Sequence, residues 1–350
     1  MGIHSENLEE IRTLMRAKLR TLVPEAEILY KSELVREINQ LKRERNALIL
    51  GHNYMEPALF HTVPDFVGDS LELSRKAAKA EQEIIIFCGV RFMAETAKIL
   101  NPQRTVLLPA KRAGCSLAES ITAADVRELK KRFPGVPVVT YINTYADVKA
   151  ESDVCCTSGN AARVVQSFAS DTIIFLPDEY LAKNVAKETG KKIITAQKGS
   201  VAAIPQSSMA GVQMIGWQGR CEVHEQFTVE DIVRIRGQFP GTVVLTHPEC
   251  SPEVVAASDF SASTSKMIDF VRQSGAPHFL ILTECSMADN IIADNQDKDI
   301  LRLCSIRCPH MNEITLEDTL HALKENQTQI HVPEDIAVRA RLALERMLTI

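Results

Sequence analysis

No apolar run in the 350 residues approaches the length of a membrane span; stretches such as IIIF at 84–87 end after a few residues. The opening MGIHSENLEEIRTLMRAKLR lacks the apolar centre of a signal peptide, and Glu6 stands where a myristoylation signal needs Ser or Thr. An excess of basic charge is missing too. Lys and Arg total 40 against 45 Asp and Glu, for a net charge of −5, and no basic stripe runs along the chain, which excludes nucleic acid as a partner. Together these absences predict a soluble, cytoplasmic protein with no membrane partner. Compact cysteine spacings of the zinc-finger or ferredoxin kind are absent as well. The nearest approach is LCSIRCPHM at 303–311, where Cys304 and Cys308 lack the second pair that would make the spacing specific.

What the chain does have is nine cysteines, an odd number that argues against a disulfide framework and leaves thiols or metal ligands open. Cys88, Cys155 and Cys156 follow apolar residues and read as buried structural thiols. The length suits two or three compact units. Up to about residue 45 the pattern predicts two helices, with Leu8, Ile11, Leu14, Met15 and Leu19 on one stripe and Pro24 as the break. From Ala47 onward short β-branched runs alternate with helical periodicity, the mark of parallel βαβ units and an α/β fold.

Compared with itself, the chain repeats three times. ALILGHN, VVTYINT and VVLTHPE are apolar runs ending near His52, Asn143 and His247. Each precedes a hydroxyl-bearing helix start, at Ser70, at Ser158, and at Ser263 with Thr264. A second apolar run follows (IIIFCGV, TIIFLPDE, FLILTEC), and each unit closes on a turn-rich segment with Cys115, Cys221 or Cys308. Ligands in open α/β sheets gather beyond the carboxyl ends of the strands, where His52, Asn143, Asp178, His247, Glu249 and Glu284 fall. The hydroxyls are expected to cap their helices and leave N–H groups for a substrate with several phosphate or carboxylate groups. Histidine, tyrosine and glutamate nearby could move protons near neutral pH. Three converging cysteines suit a cubane iron–sulfur cluster with one iron left open better than a catalytic zinc site, which more often uses histidine and carboxylate. A zinc-dependent hydrolase or aldolase, and a non-catalytic sugar-phosphate sensor with buried thiols, stay open at this point.

Several motifs narrow the choice. GHNY, GDSLELSR, CGVRFMAETAKILNP, AGCSL, YINTYADVKAESDVCCTSGNA, WQGRCEVHE, HPE, STSKMI and CPHM together resemble the quinolinate synthase family, from about residue 45 to the C-terminus. The resemblance implies three pseudo-equivalent three-layer αβα domains with short parallel sheets, arranged around a central [4Fe–4S] cluster. The expected organisation is N-terminal helices at 1–45, repeats at 46–122, 123–226 and 227–315, and C-terminal helices at 316–350. A loop at about 195–216 would lengthen the second repeat. The implied reaction condenses iminoaspartate with dihydroxyacetone phosphate to give quinolinate, phosphate and two waters on the de novo route to NAD. L-aspartate oxidase is the implied functional partner. The implied cluster ligands are Cys115, Cys221 and Cys308, and the implied acid/base groups are Tyr54, His52 and Glu249. The implied substrate-holding residues are His52, Ser70, Tyr141, Asn143, Ser158, His224, His247, Glu249, Ser263 and Thr264. Cys304 would be a bystander, Cys250 and Cys285 idle, and His310 and Met311 supports of the final turn.

Overall fold

Runs of β-branched and aliphatic residues become strands that are buried almost throughout, because helices cover both faces of each sheet. The structure, a computed structural model, describes residues 2–350, the side chains of residues 206 and 208 aside. It contains three separate sheets, each formed from one stretch of chain, with every strand pair parallel.

The first sheet consists of β1 (Ala47–His52), β2 (Phe66–Gly68), β3 (Ile84–Cys88) and β4 (Thr105–Leu107), in the order β2-β1-β3-β4. The second contains β5 (Val138–Tyr141), β6 (Val154–Cys156), β7 (Ile173–Leu176), β8 (Ile193–Ala196) and β9 (Met214–Trp217), ordered β6-β5-β7-β9-β8. The third has β10 (Val243–Thr246), β11 (Phe260–Ser261), β12 (His278–Leu282) and β13 (Asp299–Arg302), ordered β11-β10-β12-β13. The first and third sheets share one topology, and the second follows it with a strand added at its edge. The α/β architecture of three pseudo-equivalent parallel-sheet units is therefore observed.

The expected surface loop at 195–216 needs correction. Its first residues finish β8 and its last belong to β9, and β8 pairs with β9 from Ile193–Met214 to Ala196–Trp217. The run KKIITA has the β-branched character of an edge strand, so the lengthening of this unit is an extra strand with two short 3-10 turns behind it. It leaves β9, not β8, as the strand that leads into Cys221, just as β4 leads into Cys115 and β13 into Cys308.

A further repeat follows each cysteine. Thr122, Thr228 and Thr315 stand at the same spacing after Cys115, Cys221 and Cys308, and each N-caps a helix through a capping box with Asp125, Asp231 or Asp318. Each cysteine is thus held in a short segment between a strand of its sheet and a firmly capped helix.

The N-terminal helices Leu8–Leu19 and Glu25–Glu44 pack on each other; the first also touches Cys285–Asp294 and the second packs on Leu316–Glu325. Ile11, Met15 and Leu19 are fully buried, whereas Leu14 is exposed and lies off the expected stripe. The last helix, Glu334–Thr349, lies against Ala146–Ala150 and β6 of the second unit and against Arg91–Leu100 of the first. Among the described residues no helix is long and apolar enough to cross a membrane.

Candidate active site and metal centre

In a parallel sheet all carboxyl ends lie at one edge, so the residues just after β1, β5, β10 and β12 carry the polar groups outward together. A cavity at this edge is lined by His52, Tyr54, Ser70, Tyr141, Asn143, Ser158, His224, His247, Glu249 and Thr264, and by Cys115, Cys221 and Cys308. Of the residues singled out from sequence, Ser263 and the strand-end Asp178 do not reach it; Asp178 is buried and N-caps helix Glu179–Thr189. Ser263 is buried at the N-cap of helix Thr264–Gln273 and lines a neighbouring groove against the Ser158–Gly159 turn. A larger cavity, about 790 Å³, lies between the N-terminal segment and the first and third units. No cysteine lines it, so chemistry and not size locates the site.

The two strand-end histidines share a local geometry. His52 Nδ1 accepts from the Tyr54 backbone N–H at 3.2 Å, and His247 Nδ1 accepts from the Glu249 N–H at 3.4 Å. An accepting Nδ1 leaves the proton of a neutral imidazole on Nε2. Burial keeps both rings neutral, with pKa values lowered to about 4 for His52 and about 3 for His247. His247 Nε2 donates to Ser158 Oγ at 3.2 Å.

Glu249 is the hub. Its Oε2 lies 2.7 Å from His224 Nδ1, and its Oε1 accepts from Tyr141 Oη at 2.5 Å and from Asn143 Nδ2 at 3.3 Å. Burial alone would raise its pKa, but the neighbouring His224 and His247 and the donated hydrogen bonds outweigh it and bring the carboxyl down to about 2. Tyr54 and Tyr141 move the other way: burial, reinforced by the Glu249 charge, pushes both phenols well above their ordinary range. The site therefore holds an ionised carboxylate among neutral proton donors. Buried Lys149 donates to the carbonyls of Ile142 and Thr144, fixing the turn that presents Asn143.

The hydroxyl residues are placed as expected but do not cap. Asp69, not Ser70, N-caps helix Ser70–Ala77, in a capping box with Glu72. Helix Ala161–Gln166 begins after Asn160, whose Oδ1 instead accepts from the Thr157 backbone N–H. Ser263 occupies an N-cap position without making the side-chain bond. Ser70, Ser158 and Thr264 face the cavity instead.

The three thiols come from three different units. Burial pushes all of them up, Cys308 to about 12, and neighbouring charges add to it: Cys308 and Glu249 raise Cys115, and Glu249 and Cys115 raise Cys221. His224 Nδ1 stands 3.1 Å from Cys221 Sγ, and donor atoms of Cys221, His224 and Glu249 lie close enough together for one metal ion. Among the described residues no lysine or arginine lines the cavity.

A sequence profile of the family described as quinolinate synthetase A protein (NadA) matches residues 36–349. The chain belongs to the quinolinate synthetase A family. It is 51% identical over 333 residues to the quinolinate synthase of Sinorhizobium medicae, covering 95% of this chain and 87% of that one. Quinolinate synthase 2 of Mesorhizobium japonicum is 50% identical over 333 residues, with 95% and 96% covered. The quinolinate synthase of Caulobacter vibrioides is 45% identical over 351 residues, with 99% and 90% covered.

Within this quinolinate synthetase A chain, Cys88, Cys155, Cys156 and Cys250 are buried away from the cavity. Cys304 is not solitary: its Sγ accepts from Arg302 Nε at 3.1 Å, and donor atoms of Cys285 and Asp289 lie nearby. His310 and Met311, read as turn supports, line the cavity, and His310 Nε2 is 3.1 Å from Glu222 Oε1. Glu284, with its pKa raised by burial to about 7, accepts from the Ser286 and Cys308 backbone N–H groups and also lines the cavity. The strand-end rule that marked His247 marks Thr283 and Glu284 equally, since both follow FLIL.

Proposed function

We propose that this chain is a quinolinate synthase, condensing iminoaspartate with dihydroxyacetone phosphate to quinolinate, phosphate and two waters in de novo NAD biosynthesis. The observation that carries the reading is the convergence of Cys115, Cys221 and Cys308, one from each unit, beside the ionised Glu249. Family membership and the named relatives support it. The units are taken as 46–122, 123–226 and 227–315. The same reading makes the enzyme cytoplasmic and draws its iminoaspartate from L-aspartate oxidase.

The donor set fits a [4Fe–4S] cluster. Thiols that raise one another's pKa, with no cation among the lining residues, can ionise together only around a bound positive group. Cys115, Cys221 and Cys308 would hold it. When bound, the cluster supplies a Lewis-acidic iron that lacks a protein ligand.

The protein's own groups divide the remaining work. Glu249 is the carboxylate able to accept a proton, and its two flanking donors keep it oriented. Tyr54 stays a phenol and is placed to deliver a proton to a departing hydroxyl group, with the neutral His52 beside it at a ring distance of 4.7 Å. Ser70, Asn143, Ser158, His247 and Thr264 offer O–H and N–H donors to carboxylates and phosphate. Ser263 backs the Ser158 turn, and Tyr141 and His224 hold Glu249. Iminoaspartate brings the nitrogen, so no lysine Schiff base is needed.

Anaerobic purification is expected to give a brown protein with iron and acid-labile sulfide in near-equal amounts, forming quinolinate and phosphate in equal amounts from the two substrates. A colourless, zinc-loaded protein fully active in air would sink the cluster assignment. Tight binding of the phosphate substrate without turnover would favour a sensor.

A further inference from the structure

Behind the catalytic cavity a groove of about 570 Å³ runs between the second unit and the third. The turn leading into helix Ala161–Gln166 and one face of helix Glu179–Thr189 form its first wall, and the chain around Pro248 and Ser263 forms the other. Among the described residues, Ser158 alone lines both spaces, so its turn is the partition between them.

Two amides in this groove each keep one buried polar atom without a hydrogen-bond partner among the described residues. These are Nδ2 of Asn160, a residue 2% exposed, and Oδ1 of Asn184. Turning either amide over would not relieve it. Asn160 Oδ1 accepts from the Thr157 backbone N–H at 2.8 Å, which only an oxygen can do. Asn184 Nδ2 donates to the carbonyls of Pro248 at 2.8 Å and Cys250 at 3.0 Å, which only a nitrogen can do. Buried polar groups are costly to leave unpaired, so a free donor and a free acceptor in one groove point to a ligand that carries the complement of each.

Charge decides what the donor side takes. Arg163, Lys187 and Lys266 line the groove against one carboxylate, Glu188, in a chain whose net charge is −5. Helix Thr264–Gln273 starts at the same place, and Ser263 at its N-cap makes no side-chain cap bond. The serine hydroxyl and the N–H groups of the first turn are thereby left for an anion. A phosphate group, with several acceptor oxygens, can use these donors together with Asn160 Nδ2. The volume is that of a small-molecule site and exceeds what a bare anion fills, and Asn184 Oδ1 asks for a hydroxyl on the same molecule.

We propose that this groove is a second ligand site, separate from the catalytic cavity, for a small phosphomonoester. Its phosphate is taken by Asn160, Ser263 and Lys266, and a hydroxyl of its carbon chain by Asn184. The site is independent of the cluster and of the reaction assigned above.

Calorimetry on the iron-loaded protein, with glycerol 3-phosphate and inorganic phosphate as probes, tests it. Asn160→Asp keeps the oxygen that Thr157 needs and turns the free donor into a charged acceptor, so one glycerol 3-phosphate site per chain should weaken by at least about tenfold. Lys266→Gln, an exposed position, should weaken the same site severalfold, more at low salt than at high. It keeps the test decisive should Asn160→Asp fail to fold. Asn143→Ala alters the catalytic cavity only and should leave this site unchanged, which separates it from any binding of the probe beside the cysteines. Inorganic phosphate should bind about tenfold more weakly than glycerol 3-phosphate, since it carries no carbon chain to reach Asn184.

A site that ignores both Asn160→Asp and Lys266→Gln, or that disappears in Asn143→Ala, overturns the proposal. A dissociation constant weaker than about 10 mM marks an adventitious anion contact and overturns it too. Inorganic phosphate bound as tightly as glycerol 3-phosphate overturns the phosphomonoester and makes the groove a site for phosphate alone. A protein that makes no quinolinate yet keeps a site sensitive to Asn160→Asp would sink the reaction assigned above and leave the groove assignment standing.

Discussion

His224 Nδ1 and Glu249 Oε2 lie 2.7 Å apart, both side chains at most 4% exposed, one delivered by the turn after β9 and the other by the loop after β10. The pair joins the second unit to the third at the cavity, and the two tyrosines and Cys221 gather around it. Its charge state governs the surrounding protons.

Glu249→Gln preserves shape but replaces an acceptor-only group with one that also donates. One of its three donors then loses its partner, and the group able to accept a proton is gone. Turnover is expected to fall by roughly 10² or more with iron content retained. Steady-state assays with iron quantitation on the same preparation check this, and an active, iron-loaded Gln variant would contradict the role given to Glu249.

Serine at Cys115, Cys221 or Cys308 should each strip iron and sulfide from the protein, since a hydroxyl is a poor replacement for a soft thiolate. Serine at Cys304 or Cys250 should leave both in place. Metal and sulfide analysis of the five single variants decides the matter. Full loading of any of the first three refutes its assignment as a ligand.

Acid is expected to destabilise the fold well above the pH at which Glu249 takes up a proton. Burial lowers the pKa of His52 and His61 to about 4 and of His247 to about 3, below the ordinary histidine value of 6.5. As pH falls below 6.5 the unfolded chain takes up protons that the folded one refuses, so stability drops from there down to about pH 4. Glu249, whose folded pKa is depressed, adds its own loss only below about pH 4.5 and down to about 2. Between pH 7.5 and pH 5 each buried histidine should cost about 2 kcal/mol. Urea unfolding at the two pH values tests it, and replacing His61 by Gln should flatten the dependence. Glu284, raised by burial to about 7, works the other way in this range and offsets part of the loss, so the deciding comparison is parent against His61→Gln: identical pH dependence in the two would show that His61 is not held neutral.

Alanine at Thr122, Thr228 or Thr315 removes one half of each capping box. A loss of about 1 kcal/mol per site in urea unfolding is expected, with little change in turnover, because the caps lie outside the cavity. Losses well under half that size would mean the helices following the cysteines are held by packing alone.

Much of the fold was legible because it is written in local periodicity. VVTY, IIFL and FLIL could only be buried parallel strands once their turns and helices were read alongside, and His52, Asn143 and His247 were marked by standing at strand ends. The helix caps were not legible at the level of one residue. Whether Asp69 or Ser70 begins a helix depends on the backbone angles of the preceding loop, and here Asp69 takes the cap. The end of β8 and the start of β9 were read as loop because a short edge strand has only one partner and a weak pattern. The shared spacing of Cys115 to Thr122, Cys221 to Thr228 and Cys308 to Thr315 was visible in the sequence and would have aligned the repeats more firmly than the hydroxyls did.

The sequence by itself determined the α/β class, the threefold repeat and the three cysteines, since each depends on residues adjacent in the chain. Only the tertiary structure decided who meets whom at the centre. Tyr54, His224 and Thr283 are brought together from three different units, as are Cys115, Cys221 and Cys308. Cys285 is found beside Cys304. Those contacts arise from packing of sheet edges against one another, and no local pattern specifies which strand end faces which.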